Sequence, residues 1–431
     1  MASPDTKAAD TKERDYFTDP SVLRDPYEYF GEMFAKAPVH QLTSRDILVV
    51  TGFDESLEVL KNSHDFSSLI SVPGAAYELP FKPEGDDIDA QLQAIRPQVH
   101  GGDLLVTYDD RTHTNSRALL NRLFVPSRLK ANEEYMTGLA DRLAVEAAAK
   151  GGCEMMGEIA TPFATLVIAD LLGVPDEDRD DFMKVLEISA PAGNMEADQN
   201  AATSTSPLEY MATFFVRYLQ DRRDNPRDDI LTELANATFP DGTTPDLMEL
   251  VRLSTFLFGA GQDTSAKLLG NCIRYIVDTP GLQAQLRADR SLIPDMIEEV
   301  LRLEGSSKVT FRVARKSTEI AGVPAPAGKK VIVGLSGGNR DPRRWEAPDE
   351  FRLGRPKAKE HLSFGRGPHV CAGAPLARAE VRIMLDKLLQ HTAEIGLSEA
   401  EHGPPGARTM EFEPSFIVRG CARLYVTLKP A

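Results

Sequence analysis

The sequence has few cysteines and no regular spacing between them. Four occur in 431 residues, at Cys153, Cys272, Cys371 and Cys421. The four are widely scattered, so they lack the paired spacing of a structural zinc site and argue against a disulfide framework. A reducing compartment is therefore favoured.

Positive charge is also scarce. Lys and Arg number 49 against 65 Asp and Glu, which gives a net charge of -16. This balance argues against nucleic acid as a partner, because phosphate contacts need clustered cations. Between residues 340 and 382, however, ten Lys and Arg face six Asp and Glu, a local net charge of +4. That segment suits a negatively charged partner, although local ion pairs would account for it equally well.

Long apolar runs are missing. Met1 to Phe17 is dense in charge, which predicts neither a signal peptide nor a membrane anchor. The most apolar run, Phe163 to Val174, contains Asp170 and is too short to span a bilayer. We therefore expect a cytoplasmic protein that does not bind membranes.

Apolar periodicity predicts a mainly α-helical fold with minor β structure. A disordered head is expected over 1–18, followed by a single domain over 19–431. Predicted helices are Ser21 to Ala37, Phe53 to Lys61, His113 to Phe124, Leu129 to Lys150, Glu154 to Leu172, Asp176 to Ile188, Leu208 to Arg223, Met248 to Val277, Gly281 to Arg287, Leu292 to Leu303 and Pro375 to Leu389. Predicted β structure comprises a hairpin at Val39 to Val50, a small sheet at Val309 to Val333 and a closing hairpin at Phe416 to Leu428.

Two irregular segments interrupt the helical pattern. Phe66 to Asp110 holds several glycines and prolines, and a connection of that length is more often functional than idle. It is interpreted as a lid over a substrate site, with a surface insertion as the alternative. Residues 190–206 form a second candidate gating loop.

The most specific motif lies near the C-terminal end. Residues 364–373 read Phe-Gly-x-Gly-x-His-x-Cys-x-Gly, which fixes six positions in ten residues. Its glycines permit close backbone approach to a flat group. Cys371 directly precedes a helical pattern, where free N–H groups favour a thiolate that could bind iron. Taken alone, a lone cysteine is more often a small buried apolar residue.

This motif resembles the haem-binding loop of the cytochrome P450 family, and every fixed position matches. The resemblance implies a single triangular domain with a long central helix over haem b. It also implies that Cys371 is the axial ligand of the iron and that Phe364 and Gly365 contact the cofactor.

The central helix carries Ala260-Gly261-Gln262-Asp263-Thr264. Glycines here could simply allow close helix packing. The run also resembles the oxygen-activation segment of the family. On that resemblance Ala260 and Gly261 leave room over the haem, Thr264 hydrogen-bonds dioxygen and Asp263 relays protons from solvent.

Two further sets of charged residues match the family. Glu299 and Arg302 could be an ordinary exposed helix pair, but they resemble its Glu-x-x-Arg motif, and Arg355 stands where the third member is expected. The resemblance gives these three a structural role. His113 and Arg117, one helical turn apart, match propionate contacts of the family, as do Arg312 and His369. Any one of these four alone would more often be a surface side chain.

By family position, a substrate pocket is expected at Phe256, Leu257, Val309, Phe416 and Ile417. All five would serve equally well as core. Their apolar character predicts a hydrophobic substrate, such as a terpenoid, a steroid, an aromatic compound or a fatty-acid-like molecule.

The resemblance implies a monooxygenase that uses dioxygen and electrons from a separate ferredoxin and ferredoxin reductase. We expect a monomer, with the ferredoxin docking on the cysteine side near Arg343, Arg344 and Arg366. A peroxygenase of the same fold, a non-catalytic haem protein that senses a ligand, and a helical protein without haem are the alternatives.

Overall fold

Helices dominate the structure, a computed structural model that describes residues 14–42, 44–188 and 207–431. The described residues form sixteen α-helices, so the mainly helical prediction is confirmed. They are α1 (Pro20–Arg24), α2 (Tyr27–Lys36), α3 (Phe53–Lys61), α4 (Asp89–Ile95), α5 (Asp110–Asn121), α6 (Pro126–Lys150), α7 (Thr161–Leu171), α8 (Arg179–Ile188), α9 (Pro207–Asp224), α10 (Ile230–Ala235), α11 (Leu247–Asp278), α12 (Leu282–Ala288), α13 (Ile293–Glu304), α14 (Leu335–Gly338), α15 (Ala374–His391) and α16 (Glu399–His402).

Ten short strands accompany the helices in the described residues. They are β1 (Val39–Leu42), β2 (Ile47–Val50), β3 (Phe66–Ser67), β4 (Gly152–Glu154), β5 (Thr310–Ala314), β6 (Thr318–Ile320), β7 (Val323–Ala325), β8 (Lys330–Val333), β9 (Thr392–Leu397) and β10 (Tyr425–Pro430). They form a five-stranded sheet in the order β1-β2-β8-β5-β3, a three-stranded sheet β4-β10-β9, and the pair β6-β7. The predicted β1–β2 hairpin is confirmed. The predicted strands between Val309 and Val333 also form, but they divide between two sheets, with β5 and β8 in the large sheet and β6 and β7 in a separate pair.

Helix α11 is the central element, as predicted. Its first turn is capped by Asp246, whose carboxylate accepts the N–H of Glu249 at 2.8 Å. It is 32 residues long, about 48 Å at 1.5 Å per residue. The helix packs against α7, α9, α13 and α15. It therefore runs through the centre of the helical part of the molecule.

The first predicted helix was wrong in one respect, because two helices occupy that region. Asp25 adopts an extended backbone with φ -141° and ψ 97°. A proline disfavours helical dihedrals in the residue before it, so Pro26 ends α1 instead of joining the first turn of a longer helix.

The described part of the predicted disordered head, residues 14–18, is packed. Tyr16 and Phe17 are buried, and the Tyr16 hydroxyl donates to the Phe416 carbonyl at 2.8 Å. Arg45 lies over the Phe17 ring, 5.5 Å from its centroid. The fold therefore starts before residue 19, because this segment buries two aromatic rings.

The predicted closing hairpin at 416–428 was wrong as well. β10 pairs with β9 on one side and β4 on the other, both antiparallel. Strand β4 also occupies the start of the predicted helix from Glu154 to Leu172, which instead opens with a π-helical turn, Met156–Ala160, before α7.

The predicted lid segment, residues 66–110, contains β3, α4 and two 3₁₀ turns. Leu69, Ile70, Ile88 and Leu92 from this segment are buried in the core. The other candidate gating loop lies outside the described residues. Across the described ranges, no helix combines the length and apolarity needed to cross a membrane.

Candidate functional site

The cysteine loop is folded by its own backbone. The Cys371 N–H donates to the Phe364 carbonyl at 2.8 Å, and the Gly365 N–H donates to the Leu362 carbonyl at 2.7 Å. Gly365 has φ +65° and Gly367 has φ +73°, values that favour glycine. A Cβ on Gly367 would lie 2.4 Å from the Leu60 carbonyl oxygen. Any other residue at position 367 would have an unfavourable φ and would clash with the Leu60 carbonyl.

Cys371 is exposed as a residue, although protein surrounds its thiol closely. Burial raises the pKa of the thiol, and the N–H groups of Gly373 and Ala374 and the charge of Arg117 only partly oppose this. The N–H groups at the helix terminus thus act in the direction expected from the sequence, and burial opposes them. A bound metal would supply the missing charge, because metal coordination deprotonates a thiol.

The four predicted propionate contacts form one cluster. The rings of His113 and His369 lie 4.0 Å apart between centroids. The Ser68 hydroxyl lies 3.0 Å from Nε2 of His369. Buried Arg312 donates to the Ser71 hydroxyl at 3.2 Å and to the Thr310 hydroxyl at 3.0 Å.

This cluster carries excess positive charge. Burial lowers the pKa of Arg312 to about 10 and, with help from neighbouring cations, that of His369 to about 2. Arg117 and Arg312 form no ion pair with any described carboxylate. Asp109, whose charge acts on Arg312, is already bound by the Ser67 hydroxyl at 2.6 Å and by Arg96 at 3.0 Å. One buried and one half-buried cation without a paired acid fit an anionic group, such as two carboxylates beside an iron-binding thiol.

The middle of α11 is open although the helix is buried on either side. Leu257 and Phe258 are buried before it, and Ser265 and Ala266 after it, whereas residues 259–264 are not. The Thr264 hydroxyl donates to the Ala260 carbonyl at 2.9 Å. A flat cofactor can therefore reach the helix at this turn, which carries all four predicted distal residues.

The Glu-x-x-Arg residues form one buried network. Arg302 donates to both oxygens of Glu299, at 2.9 and 2.8 Å, and Arg355 donates to the same carboxylate at 2.8 Å. Arg302 also donates to the Asn339 and Pro348 carbonyls at 2.9 and 2.7 Å. The three residues are thus together, as the sequence predicted, and they hold the segment that precedes the cysteine loop.

The five predicted pocket residues fall into two groups. Phe256 and Leu257 belong to the main core around α11, whereas Val309, Phe416 and Ile417 belong to a second core beside the large sheet. The Phe416 ring packs against Phe17 at 5.7 Å and Phe311 at 5.8 Å between centroids. Its ring therefore supports a wall of the second core, and its place in a pocket stays a prediction.

Much of the predicted basic surface is paired. Arg343 bonds Glu55 and Asp341, and Arg344 contacts Glu360. Arg366 instead donates to backbone carbonyls, those of Gly365 at 3.1 Å and Lys359 at 3.2 Å. Lys357 and Lys359 beside it are exposed. Fewer unpaired cationic side chains are therefore available to a partner than the sequence count suggests.

Sequence reasoning missed several residues of this site. Ser68 and Ser71 bond the cationic cluster from the segment that was interpreted as a lid, and no local pattern marks them. Lys267 contacts Asp263 from one turn further along α11. The spacing of four residues between them was the available signal.

Fold and site together define a haem-thiolate protein: an accessible cysteine in a glycine loop, a buried cluster of cations and an open turn in a long helix. The comparisons agree. A family model described as Cytochrome P450 matches residues 206–393. Cytochrome P450 144 of Mycobacterium tuberculosis is 32% identical over 420 residues, covering 97% of this chain and 92% of that protein.

Solved structures give the same result. Cytochrome P450 CYP150A6 of Mycobacterium marinum, in its substrate-free form, superposes with a TM-score of 0.91 at 45% identity, covering 97% of this chain and 99% of that one. CYP109E1 of Bacillus megaterium, solved in complex with corticosterone, superposes with a TM-score of 0.79 at 26% identity, covering 95% and 99%. The chain belongs to the cytochrome P450 family. It is a P450 monooxygenase that binds haem b.

Proposed function

We propose that this enzyme hydroxylates a hydrophobic small molecule, with dioxygen as oxidant and electrons from a separate ferredoxin and its reductase. The balanced reaction consumes one dioxygen, two electrons and two protons, and yields the alcohol and water. The observation that carries the proposal is the open turn of α11, where Asp263 and Thr264 stand in a helix that is buried on either side.

Each residue of the site has one proposed task. Haem held at Cys371 supplies the redox chemistry that splits dioxygen. Arg117, Arg312, His113 and His369 bind its two carboxylates. Ala260 and Gly261 present no bulky side chain at the open turn, while Phe364 and Gly365 shape the loop that would hold the haem.

Proton supply falls to the acid and the alcohol of α11. We assign Asp263 to proton relay and Thr264 to donation of a hydrogen bond toward the oxygen substrate. The Thr264 hydroxyl must turn away from the Ala260 carbonyl, now 2.9 Å from it, before it can donate elsewhere. Both tasks need a site from which bulk water is excluded, because stray protons and water compete with the relay.

The substrate is proposed to be apolar and of about steroid size. Support comes from the apolar residues expected around the pocket and from the relative solved with corticosterone. Steroids are the first compounds to screen, followed by terpenoids, aromatic compounds and fatty acids. Binding should shift the Soret band of the ferric protein, and compounds that do so should be oxidised.

Cysteine ligation has a direct test. The purified protein should be red, and its ferrous carbon monoxide complex should show the strongly red-shifted Soret band of thiolate ligation. Cys371→Ser should lose that shift, whereas Cys153→Ser, a cysteine remote in sequence from the loop, should keep it. A shifted band that survives Cys371→Ser would contradict the assignment.

The ferredoxin is proposed to dock on Lys357, Lys359 and Arg366. None of the three forms an ion pair with a described acid, so their charge is available. Arg366→Glu should slow reduction by ferredoxin about tenfold at low salt, because oppositely charged surfaces steer encounter. Lys429→Glu, an exposed lysine on β10, is the matched control. Equal reduction rates for both variants would refute this docking surface.

Electron supply separates the monooxygenase from a peroxygenase. A single turnover driven by reduced ferredoxin should give product, and peroxide alone should give far less. We further propose a monomer in the cytoplasm, with one haem-binding domain over residues 19–431 against which Tyr16 and Phe17 also pack.

A further inference from the structure

Lys267 is a buried lysine with a specific partner. Its side chain is 4% exposed. It lies one helical turn after Asp263 on α11, and its ammonium contacts Oδ1 of that carboxylate. A lysine is seldom enclosed to this degree unless its charge is paired. The contact with Asp263 is therefore what allows an ammonium group inside the helix bundle.

The two oxygens of Asp263 have different surroundings. Oδ1 receives Lys267, whereas Oδ2 is buried and has no hydrogen-bond partner among the described residues. A buried oxygen without a donor is a costly arrangement that structures keep for a reason. Oδ2 is thus the oxygen that can take a proton without first breaking the ion pair.

Gly420 fixes the path of the lysine side chain. A Cβ built on Gly420 would lie 2.4 Å from Cγ, 2.6 Å from Cβ and 2.8 Å from Cδ of Lys267. These atoms are the near part of the side chain, which cannot swing away easily. The backbone at Gly420 therefore forms one wall of the channel in which Lys267 reaches Asp263.

The loop that contains Gly420 is itself tied to α11. The Arg419 N–H donates to the Ser306 carbonyl at 2.7 Å, and the Ser306 hydroxyl donates to the Thr264 carbonyl at 2.7 Å. Hydrogen bonds through Ser306 thus connect the backbone beside Lys267 to the turn of α11 that carries Thr264. A shift of this loop would move the lysine relative to the acid.

We propose that Lys267 is a positioning residue for proton delivery by Asp263. It holds Oδ1 of the half-buried carboxylate and leaves Oδ2 as the atom that takes up each proton and passes it on. The proton balance closes, because the carboxylate returns to its ionised form and Lys267 keeps its charge throughout. This inference rests on the proposed function, in which Asp263 relays protons.

Removal of the ammonium has a defined consequence. The Asp263 side chain is half-buried, with Oδ2 enclosed, and partial burial without a counter-charge favours the neutral form of a carboxyl group. Asp263 would then hold a proton at rest and would be a poor acceptor for the next one. Lys267→Met keeps most of the side-chain volume while removing the charge, so it isolates this electrostatic effect.

Infrared spectroscopy of the ferric, substrate-free protein tests the inference without turnover or a redox partner. At neutral pH, Lys267→Met should show a carbonyl stretch of a protonated carboxyl group that disappears in Lys267→Met/Asp263→Asn. The parent and Lys267→Arg should lack this band. Lys387→Met is the matched control, since it removes an ammonium that lies 3.0 Å from Asp141. A spectrum of Lys267→Met identical to that of the parent would overturn the proposal.

Kinetics supply the second readout. Lys267→Met should lower turnover about tenfold, below the 10²–10⁴-fold typical of losing a general acid or base outright, and should raise the solvent deuterium isotope effect. Gly420→Ala keeps both charges but displaces the lysine, and should change both quantities in the same direction. It decides the matter if Lys267→Met fails to fold. Lys267→Arg, which keeps the charge, should have the turnover and isotope effect of the parent. The proposal would be overturned if Gly420→Ala had parent-like values of both, or if Lys267→Arg had the values expected for Lys267→Met. If Asp263→Asn leaves turnover unchanged, the proposed relay fails, while the infrared result still decides whether Lys267 controls the acid.

Discussion

Replacement of Arg355 by methionine should destabilise the protein much more than the same change at Arg352, although the two arginines are three residues apart. Arg355 is buried, and its guanidinium donates to Glu299 at 2.8 Å. Arg352 carries its guanidinium in solvent, where it bonds Glu350 at 3.0 Å. The pair therefore compares one side chain in two environments within the same segment.

The size of the effect follows from the bonds that Arg355 makes. Besides Glu299, it donates to the carbonyls of Glu346 at 2.6 Å, Ala347 at 3.2 Å and Glu350 at 2.8 Å. Of these three carbonyls, only that of Glu346 loses its donor among the described residues, because the Glu350 N–H still donates to Ala347 and Arg302 still donates to Glu350. An acceptor left without a donor costs about 1 kcal/mol, and the bond to the carboxylate about 1.5–3 kcal/mol. The expected loss is therefore about 3 kcal/mol, at the lower end of the about 3–5 kcal/mol found when one partner of a buried ion pair is removed.

Urea unfolding offers a local probe, because Trp345 is the one tryptophan of the chain and is buried. Its ring lies 5.4 Å from the Arg302 guanidinium carbon, inside the same network. Tryptophan fluorescence and the Soret band should be followed together, since a single free energy of unfolding needs coincident transitions. Arg352→Met should unfold with the parent. If Arg355→Met also does, the network does not stabilise this segment and the reasoning fails.

Three further outcomes are expected. Gly367→Ala should cost about 1–3 kcal/mol more than Gly354→Ala, as measured by urea unfolding, because both glycines have φ +73° but only at Gly367 would a Cβ meet backbone. Burial lowers the pKa of Lys308 to about 7 from its ordinary 10.5. Between these two pH values Lys308 is protonated in the unfolded chain but not in the folded protein. The free energy of unfolding of the parent should therefore rise with pH across that range relative to that of Lys308→Met, and the two should run parallel below pH 7. Arg312→Gln should release haem to an acceptor protein about tenfold faster, through loss of a charge-assisted bond, and Arg312→Lys should recover part of this; equal release rates for the parent and Arg312→Gln would exclude a role in holding the cofactor.

Local patterns predicted the parts of the site that are local in sequence. The cysteine loop folds through backbone bonds among residues 362–371, so ten residues were enough to recognise it. Glu299 and Arg302 share one helix face, and their spacing alone placed them together. The long amphipathic pattern of α11 also predicted its bounds to within a residue at each end.

Local patterns could not predict which distant strands pair with one another. Val426 in β10 pairs with Cys153 and also with Leu397. Three-residue and six-residue strands have too little alternation to reveal partners so distant, so β10 was paired with its sequence neighbour. Ser68 was missed for the same reason, because its role depends on contact with His369, 301 residues away.

The remaining errors lie near the N-terminus, where two local sequence signals point to different structures. The apolar spacing of residues 21–37 is helical throughout, but the restriction that Pro26 imposes on Asp25 outweighs it. Conversely, the charged composition of the N-terminus concealed Tyr16 and Phe17, whose two rings are enough to anchor the segment.

The large sheet cannot be completed until most of the chain has been synthesised. β2 pairs in parallel with β8, from Ile47 with Lys330 to Val50 with Val333. At synthesis rates of about 5–20 residues per second, the ribosome needs roughly 15–60 seconds to make the intervening chain. Throughout that interval the nascent β1–β2 hairpin exposes an unpaired edge, which is a template for aggregation. A chaperone that shields the first fifty residues should therefore raise the yield of folded enzyme more than one that acts on the finished chain.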